Sequence, residues 1–105
     1  MQISDSGSVV VVTVVSGQCQ TLWRAIESYH VLGRRSFVLD LSHVDLLNSV
    51  NIAAIITVRS KLTATGGKLA LAGLKPRMQE IFRVFRLDRL FDLGLDLAAA
   101  TRAVA

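Results

Sequence analysis

Asn48 and Ser49 are the residues of this chain best placed to do chemistry. They lie within VLDLSHVDLLNSVNIAAI, positions 38–55. An alternating strand pattern from Val38 to Leu41 passes through a short loop into Asn48-Ser49, where an apolar-periodic helix begins. A small polar side chain at such a start can accept a backbone N–H and cap the helix. The same end can hold a phosphate, because unpaired N–H groups and the positive end of the helix dipole face it. Ser49 therefore reads either as a cap or as a phosphoacceptor.

Other chemistry has few candidates. His43, six residues before Ser49, could approach the serine as a base or simply contact loop backbone. His30 ends a helix, where a positive charge suits the dipole. Val50-Asn51 follows Ser49, so there is no G-x-S-x-G elbow. Gly66-Gly67 reads as a helix stop rather than a phosphate-cradling loop. Asp40 and Asp45 are not spaced as an acid–base pair. The single cysteine, Cys19, excludes an intramolecular disulfide and a CxxC metal site. Its thiol reads either as acidified near a helix start or as a small buried group. No residue set supplies both a nucleophile and an activator, so neither an enzyme nor a metal or cofactor site is expected.

The surrounding elements follow from periodicity and turn residues. Met1–Ser4 and Ser8–Val15 are expected strands, joined as a hairpin through Asp5-Ser6-Gly7. Gly17 should end the second. Thr21–Leu32 has helical spacing, with Leu22, Ala25, Ile26, Tyr29 and Leu32 on one face, and Gly33 stops it. Ser36–Ser42 is a strand apolar on both faces, as in a covered sheet. His43–Leu47 is a loop. Ser49–Thr65 is a second helix with Ile52, Ile55, Val58 and Leu62 as its buried stripe and Arg59 at the margin. Lys68–Gly73 is a strand, and Pro76 suits the first position of the next helix. Met78, Ile81, Phe82 and Phe85 fall at i, i+3, i+4 and i+7, facing the core. Phe91–Leu93 could be a last edge strand, and Asp96–Ala105 a short terminal helix. The order β-β-α-β-α-β-α-(β)-α gives an α/β fold. Its mixed sheet has four to five strands, covered mainly on one face by about four helices.

Composition narrows the class. The chain has 105 residues, the length of one domain. With 51% hydrophobic and 19% charged residues it is not a disordered chain. Mean hydropathy is +0.48, yet no stretch approaches the ~20 apolar residues of a membrane helix. No signal peptide is visible, and a cytoplasmic location is expected. Net charge is +4, unevenly spread: from Arg59 onward nine Lys/Arg face four Asp/Glu. That basic half reads as a solvated face or as a surface for nucleic acid, an anionic membrane or an acidic protein. Arg77, Arg83, Arg86 and Arg89 would carry such contact.

The segment FVLDLSHVDLLNSVNIAAIITVRSKLTATGGKLALAGLKPRMQEIFRVFRLDRLF resembles the STAS domain family, the fold of bacterial anti-sigma factor antagonists. The match lies in Asp40-Leu41-Ser42, Ser49, the stripe Ile52/Ile55/Val58/Leu62, Gly66-Gly67, Pro76, and Leu87 with the Asp-Arg-Leu-Phe that follows. It covers roughly residues 8–95 of the chain. The resemblance implies that Ser49 is phosphorylated by a partner kinase that is itself the anti-sigma factor. It also implies that the unphosphorylated form binds that kinase. Asp40, His43, Asn48, Ser49, Asn51 and Ile52 are the expected partner-binding residues. The chain departs from the family motif in having Asn48 for its aspartate, Val50 for its second hydroxyl residue and Asn51 for its glycine.

The expected function is therefore a regulatory protein-binding module of the anti-sigma antagonist type, spanning residues 1–105 as a single domain. Its partner would be an anti-sigma factor serine kinase or another STAS-binding protein, with no nucleic acid and no membrane insertion; a homodimer is left open. The alternative is a non-switching STAS subunit of a larger assembly, such as a stressosome-like scaffold or an accessory of lipid-transport ABC systems.

Overall fold

Strand formation centres on Val9–Val15, whose valines favour a pleated, covered surface. In the computed structural model, which describes residues 1–15, 21–45 and 48–105, this run is strand β2. It pairs antiparallel with β1 (Gln2–Ser6) through a turn in which Gly7 has φ +73°, a conformation glycine adopts without a Cβ clash. Strand β3 (Ser36–His43) lies parallel to β2, and β4 (Lys68–Ala72) parallel to β3. The sheet order is β1-β2-β3-β4.

Four helices cover the sheet: α1 (Leu22–Val31), α2 (Ser49–Thr63), α3 (Pro76–Val84) and α4 (Leu97–Val104). Strand alternation decides which face each one covers. Val10, Val12, Val14, Phe37, Leu39, Leu41 and Leu71 share a core with Leu22 and Ile26 of α1, the Ile52/Ile55/Val58/Leu62 stripe of α2, and Met78 and Phe82 of α3. Val9, Val38, Ala70 and Ala72 face the other way and meet Ala100 and Val104 of α4. Three helices thus pack on one face and one on the other. The mixed four-stranded sheet matches the expected class.

Three local expectations are corrected. Leu32 is 80% exposed, because α1 ends at Val31 and the N–H of Leu32 bonds back to Tyr29 in a tightened turn. Phe85 is 55% exposed, because α3 ends at Val84 and the chain then reverses through Arg86. Phe91–Leu93 forms no strand. Phe91 and Leu93 are buried, but the backbone bonds locally. Phe91 N–H reaches Leu87 O at 3.0 Å, and Gly94 N–H reaches Asp92 Oδ1 at 3.1 Å. Gly17 and Cys19 lie outside the described residues, as do Leu46 and Leu47 of the expected loop.

The end of α2 shows why Gly66-Gly67 is there. Gly66 has φ +79°, and Gly67 N–H bonds to Leu62 O at 2.7 Å. A Cβ on Gly67 would stand 2.9 Å from Leu62 O and 3.0 Å from Arg35 O. Both obstacles are backbone and cannot rotate away. Gly67→Ala should therefore destabilise the fold by about 1–3 kcal/mol, read as a lower urea midpoint at unchanged m-value. An unchanged midpoint would show that the α2–β4 connection yields freely.

Candidate functional site

The first turn of α2 stands at the carboxyl end of β3, where the parallel part of the sheet opens. Asn48 precedes it with extended backbone, φ −105° and ψ 177°. Its Oδ1 accepts the N–H of Asn51 at 2.9 Å, and its carbonyl accepts the N–H of Ile52 at 3.0 Å. Asn48 is therefore the cap. Ser49 is the first helical residue and is exposed. Among the described residues its hydroxyl has no hydrogen-bond partner. The helix does not use this hydroxyl to satisfy its own end.

The other expected site residues divide into two groups. Asn51 is 9% exposed and Ile52 5%. Ile52 belongs to the main core cluster, so it anchors the turn from beneath. The apolar group that the turn presents beside Ser49 is Val50, 53% exposed. Sequence reading did not select Val50, although its replacement of a hydroxyl residue was the available signal.

Asp40 and His43 belong to the strand below. Their pairing with β2 changes register: Thr13 faces Asp40, then Val15 faces His43, so three steps of β3 match two of β2. This is a bulge. Asp40 Oδ1 accepts the N–H of Ser42 at 3.0 Å within it. Gly73, at the end of β4 with φ +67°, packs against Ser42; a Cβ there would meet Ser42 Cβ at 2.9 Å. Asp40 thus shapes the strand end rather than reaching the helix. His43 lines a hollow of about 410 Å³ with Met1, Gln2, Thr13 and Val15. Among the described residues no hydrogen bond joins His43 to Ser49. The structure brings Asn48, Ser49 and Asn51 together at the start of α2 and places His43 with Met1, Gln2, Thr13 and Val15.

Lys75, which sequence reading also passed over, completes the rim. It caps α3 and forms an ion pair with Asp45 in the loop before α2. The Lys75 hydrogen bond, and then its charge, hold the Asp45 carboxyl below its ordinary value of 3.8; His43 adds a smaller lowering. A lowered carboxylate pKa stabilises the fold above the ordinary value, and this is lost as pH falls through the lowered one. Asp45 is too exposed for the pair to contribute much to stability. The check is an NMR titration. Asp45 should titrate below 3.8 in the native chain and move up in Lys75→Met. No upward movement would show that the pair does not form.

No group of three or more His, Cys, Asp or Glu is placed to hold a metal among the described residues. No helix among them is long and apolar enough to cross a membrane.

Comparison with known proteins agrees with this architecture. A candidate anti-sigma factor antagonist of Bordetella bronchiseptica, BtrV, is 31% identical over 71 residues, which is 68% of this chain and 61% of that protein. The chain thus spans less than two thirds of that relative's length. The NMR structure of TM1081 from Thermotoga maritima superposes with a TM-score of 0.84 at 18% identity, covering 97% of this chain and 86% of the other. The crystal structure of an anti-sigma factor antagonist from Mycobacterium paratuberculosis gives 0.79 at 25% identity, covering 98% and 91%. The STAS domain profile matches residues 6–100. With that match spanning most of the chain, the chain belongs to the STAS domain family.

Proposed function

We propose that this chain is a regulatory binding module of the anti-sigma factor antagonist type. It binds an anti-sigma factor kinase through the first turn of α2 and the loop before it, and phosphorylation of Ser49 switches that binding off. Residues 1–105 act as one domain in the cytoplasm, by binding rather than by catalysis. The observation that carries this reading is the division of labour at the α2 start. Asn48 caps the helix, which leaves the Ser49 hydroxyl exposed and, among the described residues, unbonded. Such a hydroxyl can enter a kinase active site without unravelling the helix. An added phosphate brings about −1.5 to −2 charges, and the positive end of α2 accommodates them.

The motif substitutions bear on rate more than on geometry. Asn48 keeps the cap but carries no charge, so it cannot draw a magnesium ion or a cationic group of the kinase toward the serine. The test is phosphate transfer from ATP by a purified anti-sigma serine kinase, followed by mass spectrometry of the product. One phosphate is expected on Ser49 and none on Ser49→Ala. Asn48→Asp should accept phosphate faster, because it preserves the cap and restores the carboxylate. Transfer to another residue, or none to either protein, would remove the switch and favour the non-switching scaffold role.

A further inference from the structure

The tip formed by the end of α3 and the turn after it combines exposed apolar side chains with cations that have no ion-pair partner among the described residues. Val84 is 79% exposed, Phe85 55% and Leu90 39%. Arg83, Arg86 and Arg89 surround them and are exposed. Among the described residues the ion pairs are Arg34–Asp5 and Lys75–Asp45, so none of these three guanidiniums is neutralised by contact. Arg83 makes only a side-chain hydrogen bond to Gln79, at 3.2 Å.

Arg86 is the second observation. Its φ is +60°, and it is the only described non-glycine residue with positive φ. A left-handed backbone disfavours any residue with a Cβ, and glycine would occupy it without strain. The chain instead keeps a long cation at the apex of the reversal, flanked by exposed Phe85. Strain retained at a surface position points to a contact made there.

We propose that this tip seats on an anionic membrane surface, with Phe85 and Val84 entering the headgroup layer and Arg83, Arg86 and Arg89 meeting lipid phosphates. Shape and charge favour lipid over a folded partner. The apolar residues are exposed at and just beyond the end of α3, whereas a protein contact through them would need a groove on the other side. Guanidiniums pair with phosphate oxygens in fork geometry, and an aromatic ring with basic neighbours suits the interface. Asp88 and Asp92 lie in the same segment and offset part of the charge, so attachment is reversible and salt-sensitive. Binding at the tip needs no phosphate on Ser49.

Co-sedimentation of the full chain with vesicles tests this. The chain should pellet with vesicles of equal parts phosphatidylglycerol and phosphatidylcholine, and stay in solution with phosphatidylcholine alone. Arg86→Gly should weaken vesicle binding about fivefold while raising the thermal midpoint. Phe85→Ser should weaken it further without lowering that midpoint. The opposite movement of stability and binding in Arg86→Gly separates lost contact from lost fold. Equal pelleting with both vesicle types, pelleting with neither, or binding indifferent to both substitutions would overturn the proposal. Retention on polyglutamate without pelleting on vesicles would also overturn it, replacing lipid by an acidic protein.

Discussion

Phe82→Ala should cost the fold about 3–5 kcal/mol, the largest loss expected from any single truncation in α3. Phe82 is fully buried. It packs edge-to-face on Phe91, with ring centroids 6.4 Å apart at 68°. Arg59 from α2 sits over the far ring, 5.8 Å from its centroid. Truncation would open a cavity and also unseat Phe91, which has no strand to hold it. Domains of ordinary stability unfold with about 5–15 kcal/mol, so much of the population could be unfolded at moderate temperature. Urea denaturation followed by circular dichroism measures the effect. Phe85→Ser, three residues away and exposed, should fall within about 0.5 kcal/mol of the native chain. A loss below about 1 kcal/mol for Phe82→Ala would mean that α3 is not part of the main core.

The contrast between Phe82 and Phe85 shows how far sequence reasoning reaches. Both sit on the same i, i+3, i+4, i+7 series with Met78 and Ile81, and periodicity treats them alike. The difference is where α3 stops. That is set by the reversal at Arg86 and by the return of Leu87, Phe91 and Leu93 into the core, which depend on long-range packing. Leu32 fails for the same reason at the end of α1. The element order, the mixed sheet and the α2 stripe were legible, because alternation and helical spacing are local signals repeated over many residues. Phe91–Leu93 misled because a short apolar run does not distinguish a strand from a buried irregular segment.

At the site, position was legible and division of roles was not. The sequence placed Asn48 and Ser49 at a helix start, but either could have been the cap. Only the backbone shows Asn48 extended and Ser49 already helical. The register shift before His43 was beyond reach, since it arises from pairing with Val15 in another strand. The exposure of Val50 needed the helix phase relative to the sheet.

Ser49→Asp should weaken binding to the anti-sigma kinase by about 2–3 kcal/mol, roughly 30- to 150-fold in Kd. The substitution places a carboxylate at the first position of α2, where the dipole favours it by about 0.3–1 kcal/mol. The folded chain should therefore be as stable as the native one, or slightly more so. The cost arises only in the complex. Val50, half-exposed beside it, would lie in the same contact, and a charge buried there loses its water without gaining a partner. Ser49→Ala should bind like the native chain, because the cap belongs to Asn48. Titration calorimetry with the kinase, run beside thermal melts of all three proteins, separates the terms. Equal affinity for the native chain and Ser49→Asp would place the kinase on another surface. Weak binding with a lowered melting temperature would instead trace the loss to the fold.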